Sequence, residues 1–250
     1  MQLGITSLFL LATMTVSGVA SAQPNLARDR ASAPYRLGFE HMRAEAYDKA
    51  TEAFQDAIDI DPTFELAHYM LGRTRMYAKD YARALAAFIR AHELYINEGG
   101  RYFSNVLEAQ RHLKEKTREI DEYIRQLQLR TQTREIMEQI RQLNEYKRRM
   151  QEAVQRGSDA SVRTPAPAFV SLSLGSAYFR VGNLAEAEKA YKETIAVDPK
   201  AGEAFNNLAV VYLETGRAEE AEKALKAAEK TGFKVHPQLK AAIVESIKRS

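Results

Sequence analysis

The sequence predicts an all-α fold of stacked helix–turn–helix repeats, and three observations predict it. A block of 34 residues occurs four times, at 31–64 and 65–98 and again at 168–201 and 202–235. The copies keep large and small residues at fixed places, as helices that cross at close range require. Between the two pairs, residues 101–156 contain neither glycine nor proline and are crowded with Arg, Lys, Glu and Gln, the pattern of solvent-facing helix.

In register, the seventh and eighth positions hold Leu37–Gly38, Leu71–Gly72, Leu174–Gly175 and Leu208–Ala209. Each is a bulky knob followed by a residue too small to obstruct a neighbouring helix. Thirteen residues after each leucine stands Ala50, Ala84, Ala187 or Ala221, and four further on Phe54, Phe88, Tyr191 or Leu225. The first and third copies stop at Asp61–Pro62 and Asp198–Pro199, where proline cannot continue a helix.

This pattern resembles the tetratricopeptide repeat over roughly half of the chain. It departs from that family at the tryptophan-like fourth position, which holds Pro34, His68, Ser171 and Phe205, and the second and fourth copies lack the closing proline. The resemblance implies a right-handed superhelix in which the first helix of each unit lines a concave groove that binds protein or peptide. Carried onto this sequence, the groove comprises Tyr35, Phe39, Met42 and Arg43, then Tyr69, Arg73, Met76 and Tyr77 from the first pair. From the second pair it takes Phe169, Leu172, Ser176, Phe179 and Arg180, then Asn206, Asn207, Val210 and Leu213. Some family members clamp a terminal carboxylate there; only Asn207 and Arg180 match such a clamp, so an apolar helix or extended segment is the expected ligand. Its centre is expected at Tyr35, Tyr69, Met76 and Tyr77, with the alternative that these side chains pack against the next repeat or the chain's own insert.

The N-terminus reads as an address. Residues 1–22 carry no charged side chain, with an apolar centre at Leu8 to Ala12 and then Ala20-Ser21-Ala22, the spacing a signal peptidase cleaves. The apolar run is well short of the roughly 20 residues of a spanning helix, so a cleaved signal peptide with mature start Gln23 is expected, and export to the periplasm or medium with it. The absence of cysteine agrees with export, and a formal net charge of +3 gives no nucleic-acid footprint. Residues 23–32 read as a disordered leader and 33–98 as the first pair.

The segment 99–156 is expected as a charged helical insert and 157–167 as a linker. Leu113, Ile120, Ile124 and Leu127 form one apolar stripe and Leu129, Ile136, Ile140, Leu143, Met150 and Val154 another. The phase jump between them suits a hairpin folded around Arg130–Thr133, or else a coiled coil built on one straight helix of about 80 Å with partners on opposite faces. The insert thus either spaces the two pairs or self-associates. The second pair occupies 168–235, and 236–250 is a capping helix whose Leu239, Ile243 and Ile247 cover the last repeat.

No phosphate loop, nucleophile elbow or HExxH motif occurs, and no histidine pairs with a carboxylate at ligand spacing, so no enzyme activity, cofactor or metal is expected. The expected function is a non-enzymatic protein-binding scaffold of the cell envelope, with an oligomerising coiled-coil protein as the alternative.

Overall fold

The computed structural model describes residues 26–99, 106–155 and 165–249, and every regular element among them is an α-helix. The first pair comprises α1 (Leu26–Arg43), α2 (Tyr47–Ile60), α3 (Glu65–Tyr77) and α4 (Tyr81–Gly99). The insert forms α5 (Val106–Gln128) and α6 (Arg134–Gln155). The second pair comprises α7 (Ala168–Arg180), α8 (Leu184–Val197), α9 (Gly202–Glu214) and α10 (Ala218–Lys230), followed by α11 (Pro237–Arg249). The signal-like segment 1–22 and residues 157–164 of the linker lie outside the described residues.

Within each unit the small residue at position eight is what lets the two helices close. A methyl group added at Gly38 would lie 2.5 Å from the Phe54 ring, at Gly72 2.7 Å from Phe88 and at Gly175 2.7 Å from Tyr191. Ala50, Ala84, Ala187 and Ala221 are completely buried at the matching places on the second helices. The turn between the helices uses one left-handed residue at the fifteenth position of every copy: Glu45 (φ 55°), Lys79 (φ 62°), Gly182 (φ 82°) and Gly216 (φ 74°). The turn between units is set by aspartate: Asp61 accepts the Thr63 N–H at 3.0 Å and Asp198 the Lys200 N–H at 3.1 Å, each closing the bend two residues on.

Two features differ from the sequence reading. The leader does not run to Ser32, because α1 begins at Leu26 and buries Arg28 and Ala31. Arg28 is fixed there by Asp61, by Glu65 at 3.2 Å and by Glu119 at 2.7 Å, and its guanidinium lies 4.2 Å from the Phe64 ring centre. Nor does the insert separate the pairs. α4 packs directly on α7, and Nε2 of His92 on α4 lies 2.8 Å from Glu193 on α8. That pairing of residues 101 apart could not be seen from local spacing.

The insert is an excursion from a continuous stack. α5 and α6 fold as a hairpin turning at residues 129–133, with Lys147 of α6 reaching Asp121 of α5. Ile120, Ile124 and Leu127 of one stripe and Ile136 and Leu143 of the other are buried in the same core as the first pair. Leu129 alone projects from the bend, 64% exposed. At the far end Ile243 is completely buried while Leu239 and Ile247 pack at its sides, so α11 covers α9 and α10.

Candidate functional site

The expected groove is built from the first helices of the four units, and the structure divides it in two. On the first pair it is filled by the hairpin. Tyr35, Phe39 and Tyr69 are buried, as is Arg73. The Tyr123 ring of α5 lies 5.7 Å from Phe39 and 6.3 Å from Tyr69, with Phe169 of α7 4.9 Å from Tyr69. These aromatics are therefore core, and the expectation that they form an open binding face is corrected. The physical reason is that the hairpin offers two apolar stripes that no short linker would carry, and the groove is the nearest apolar surface on which to bury them.

Polar groups set the register of this seam. Gln139 Nε2 donates to the hydroxyls of Tyr69 at 2.9 Å and Tyr123 at 2.8 Å, while its Oε1 accepts from Arg73 at 3.2 Å. Deeper in, Lys116 of α5 pairs with Glu65, and Glu119 accepts from both Arg28 and Lys116. The result is a buried cluster of two cations and three carboxylates joining α1, the α2–α3 turn, α3 and α5. Burial opposes ionisation of Glu65, but Lys116 and Arg28 outweigh it and hold that carboxyl below its usual range. Asp61 is likewise lowered, burial being outweighed by its bonds from Arg28 and Thr63. Glu119 goes the other way: burial and the Glu65 charge push it up despite Lys116 and Arg28. A second ion pair ties α6 to the third unit, where Arg141 bridges Glu138 and Asp198.

Met42 and Met76 pack at the edge of this core, and Thr74 Oγ1 lies 3.1 Å from the Met42 sulfur. Tyr77 stays outside it, 44% exposed and stacked on Tyr47 at 5.6 Å. On the second pair the concave face is open. Leu172, Ser176, Phe179, Asn206, Asn207, Val210 and Leu213 are each half-buried, and Arg180 is exposed, its guanidinium 5.6 Å from the Tyr81 ring. Asn206 donates to Asn207 at 3.3 Å. Where the two parts meet, a cleft of about 200 Å³ lies between α6 and the helices α3, α7 and α9, lined by Arg73, Met76, Gln142, Leu172, Ser176 and Glu203.

The residues that hold the insert, Arg28, Lys116, Glu119 and Gln139, were not singled out in the sequence. Each lies outside the repeat register or in a charge-rich helix where solvated surface is the ordinary reading. Among the described residues, no group of three or more His, Asp or Glu side chains is placed to hold a metal ion, and no helix is long and apolar enough to cross a membrane.

Comparison with known proteins agrees with this geometry. Family models described as tetratricopeptide repeat match residues 31–64 and 172–232. No curated protein sequence matches the chain. Among solved structures, a crystal structure of MamA shares 18% identity over 81% of this chain and 78% of that one, with a TM-score of 0.50, a likeness of fold. PilW, a type IV pilus biogenesis factor, has 19% identity over 88% of this chain and 87% of its own, with a TM-score of 0.42. YrrB, described as a TPR protein with an unusual peptide-binding site, has 17% identity over 87% and 92%, with a TM-score of 0.30. With models matching in both pairs and α4 stacked on α7 as one repeat on the next, the chain carries tetratricopeptide repeats on either side of its insert.

Proposed function

We propose that this chain is a non-enzymatic protein-binding adaptor of the cell envelope whose partner surface is the concave face of the second pair. The repeat architecture is one of protein interaction. One observation carries the choice of surface: the hairpin covers Tyr35, Phe39 and Tyr69 while Phe179, Asn206, Asn207, Val210 and Leu213 remain accessible. That open face combines apolar area with amide donors and acceptors and one exposed guanidinium, suited to an apolar helix or extended peptide. Placement in the envelope is supported by the uncharged N-terminal stretch ending in Ala20-Ser21-Ala22 and by the absence of cysteine.

A photo-crosslinking residue at Asn206, compared with one at Lys49 on α2, tests the surface in native envelope fractions. Adducts are expected from position 206 alone and should vanish with Phe179→Glu. Adducts of equal yield from both positions, or from neither, sink the surface. Intact mass of the recovered protein tests the address, since retention of residues 1–22 would place the chain on an anchor instead.

The oligomeric coiled-coil reading is the weaker one. The apolar stripes it needs for a second copy are used against the chain's own repeats, with Ile120, Leu127 and Leu143 buried inside one molecule.

A further inference from the structure

The hairpin occupies the side of the first pair on which repeats of this kind present a groove, and the character of the seam bears on how it is held. A permanent core is stable when apolar, and replacing buried ion pairs by well-packed hydrophobic residues is often neutral or stabilising. This seam instead contains the five charged side chains of the buried cluster, a shared amide and the Arg73 guanidinium bound to it, a composition closer to a domain interface than to an interior. The stack beneath does not need it for continuity, because α4 meets α7 directly and His92 meets Glu193. The hairpin leaves the stack after α4 and returns to it before α7. Continuity of the stack thus rests on α4 and α7 and not on the hairpin.

The contact face also spells out what fits. Lys116, Glu119, Tyr123 and Leu127 recur at spacings of three, four and four, one stripe of a helix. Lys116 meets the fully buried Glu65, Glu119 meets Arg28, and Tyr123 meets the rings of Phe39 and Tyr69. We propose that the α5–α6 hairpin is a releasable internal ligand, and that the face it uncovers on α1 and α3 accepts an amphipathic helix carrying Lys, Glu three residues later and Tyr four after that. This site concerns the first pair and stands or falls apart from the open face of the second.

The probe is a labelled synthetic peptide of the chain's own residues 113–128, read by fluorescence anisotropy with the full-length protein. A tethered hairpin competes at an effective concentration in the millimolar range, so the unaltered chain resists the peptide. In a Lys116→Ala chain the internal helix leaves Glu65 with Arg28 but without its lysine, whereas the incoming peptide still carries one. At least tenfold tighter binding to that variant is expected, and a peptide with the same lysine replaced by alanine should lose the gain. Equal affinity for both chains, or no dependence on the peptide's lysine, overturns the recognition. Native-state hydrogen exchange of the unaltered protein needs no variant: α5 and α6 amides should exchange through a cheaper opening than those of α3 and α7. Exchange of all four helices in one global event overturns release.

Discussion

Gln139 of the insert and Tyr69 of the second repeat are joined by a hydrogen bond of 2.9 Å inside the protein, with Tyr123 and Arg73 on the same amide. One side chain thereby fixes the sliding register of α6 on α3 and of α5 on α6. Gln139→Leu keeps the volume but leaves two hydroxyls and a guanidinium with fewer partners. A loss of about 1–3 kcal/mol in urea unfolding is expected. A loss under about 0.5 kcal/mol would show that water already serves these groups.

Tyr69→Glu follows from the same seam. On an open groove it would be tolerated. With Tyr69 at 2% exposure the new carboxylate is desolvated among the rings of Phe88, Tyr123 and Phe169. The cost should exceed about 3 kcal/mol, while Met76→Glu at the edge should cost less. Circular dichroism melts of the two variants check the order.

Two glycines separate packing from backbone. Gly175→Ala drives a methyl to 2.7 Å from the Tyr191 ring, an overpacking expected to cost about 1–3 kcal/mol. Gly182→Ala meets nothing within 4 Å but sits at φ 82°, so it should cost about 1–2 kcal/mol through the backbone alone. A Tyr191→Leu background should relieve the first variant and leave the second unchanged.

The buried cluster gives opposite pH dependences to its carboxylates. Asp61 and Glu65 are lowered, so their stabilisation is present above the unfolded value of about 4 and lost as pH falls through the folded one. Glu119 is raised, so its contribution is present below the unfolded value and lost as pH rises through the folded one. Relative to the parent, Glu119→Gln should gain stability as pH rises past the unfolded carboxyl value of about 4, and Glu65→Gln should lose stability over the same rise. Denaturant midpoints that moved in the reverse sense would contradict the assignment.

Ala187→Leu should cost about 1–3 kcal/mol, since Ala187 is completely buried. Its neighbour Glu188 lies in a charge-rich helix, where solvated surface is the ordinary expectation. The structure instead pairs it with Arg217 at 2.5 Å and Lys192 at 2.7 Å, and those hydrogen bonds, Arg217 first, lower its carboxyl to about 2. Glu188→Ala should cost up to about 1 kcal/mol, against under about 0.5 kcal/mol for the exposed Glu219→Ala. Thermal unfolding of the three variants checks the ranking.

The sequence by itself determined the repeat. Gly38 under Phe54, Gly72 under Phe88 and Gly175 under Tyr191 are contacts within one unit of 34 residues, and a contact that recurs at a fixed separation leaves a periodic trace. Ile243 of α11 was legible for the same reason, as one stripe on one helix. Only the tertiary structure decided that α4 would stack on α7 across the insert and that the hairpin would fold onto the groove. Those choices rest on pairs such as Arg28–Glu119, Lys116–Glu65 and His92–Glu193, separated by 91, 51 and 101 residues and occurring once each. Tyr35 and Tyr69 carry the same signature whether they await a partner or already have one, because apolar area records that a surface must be covered and not by what.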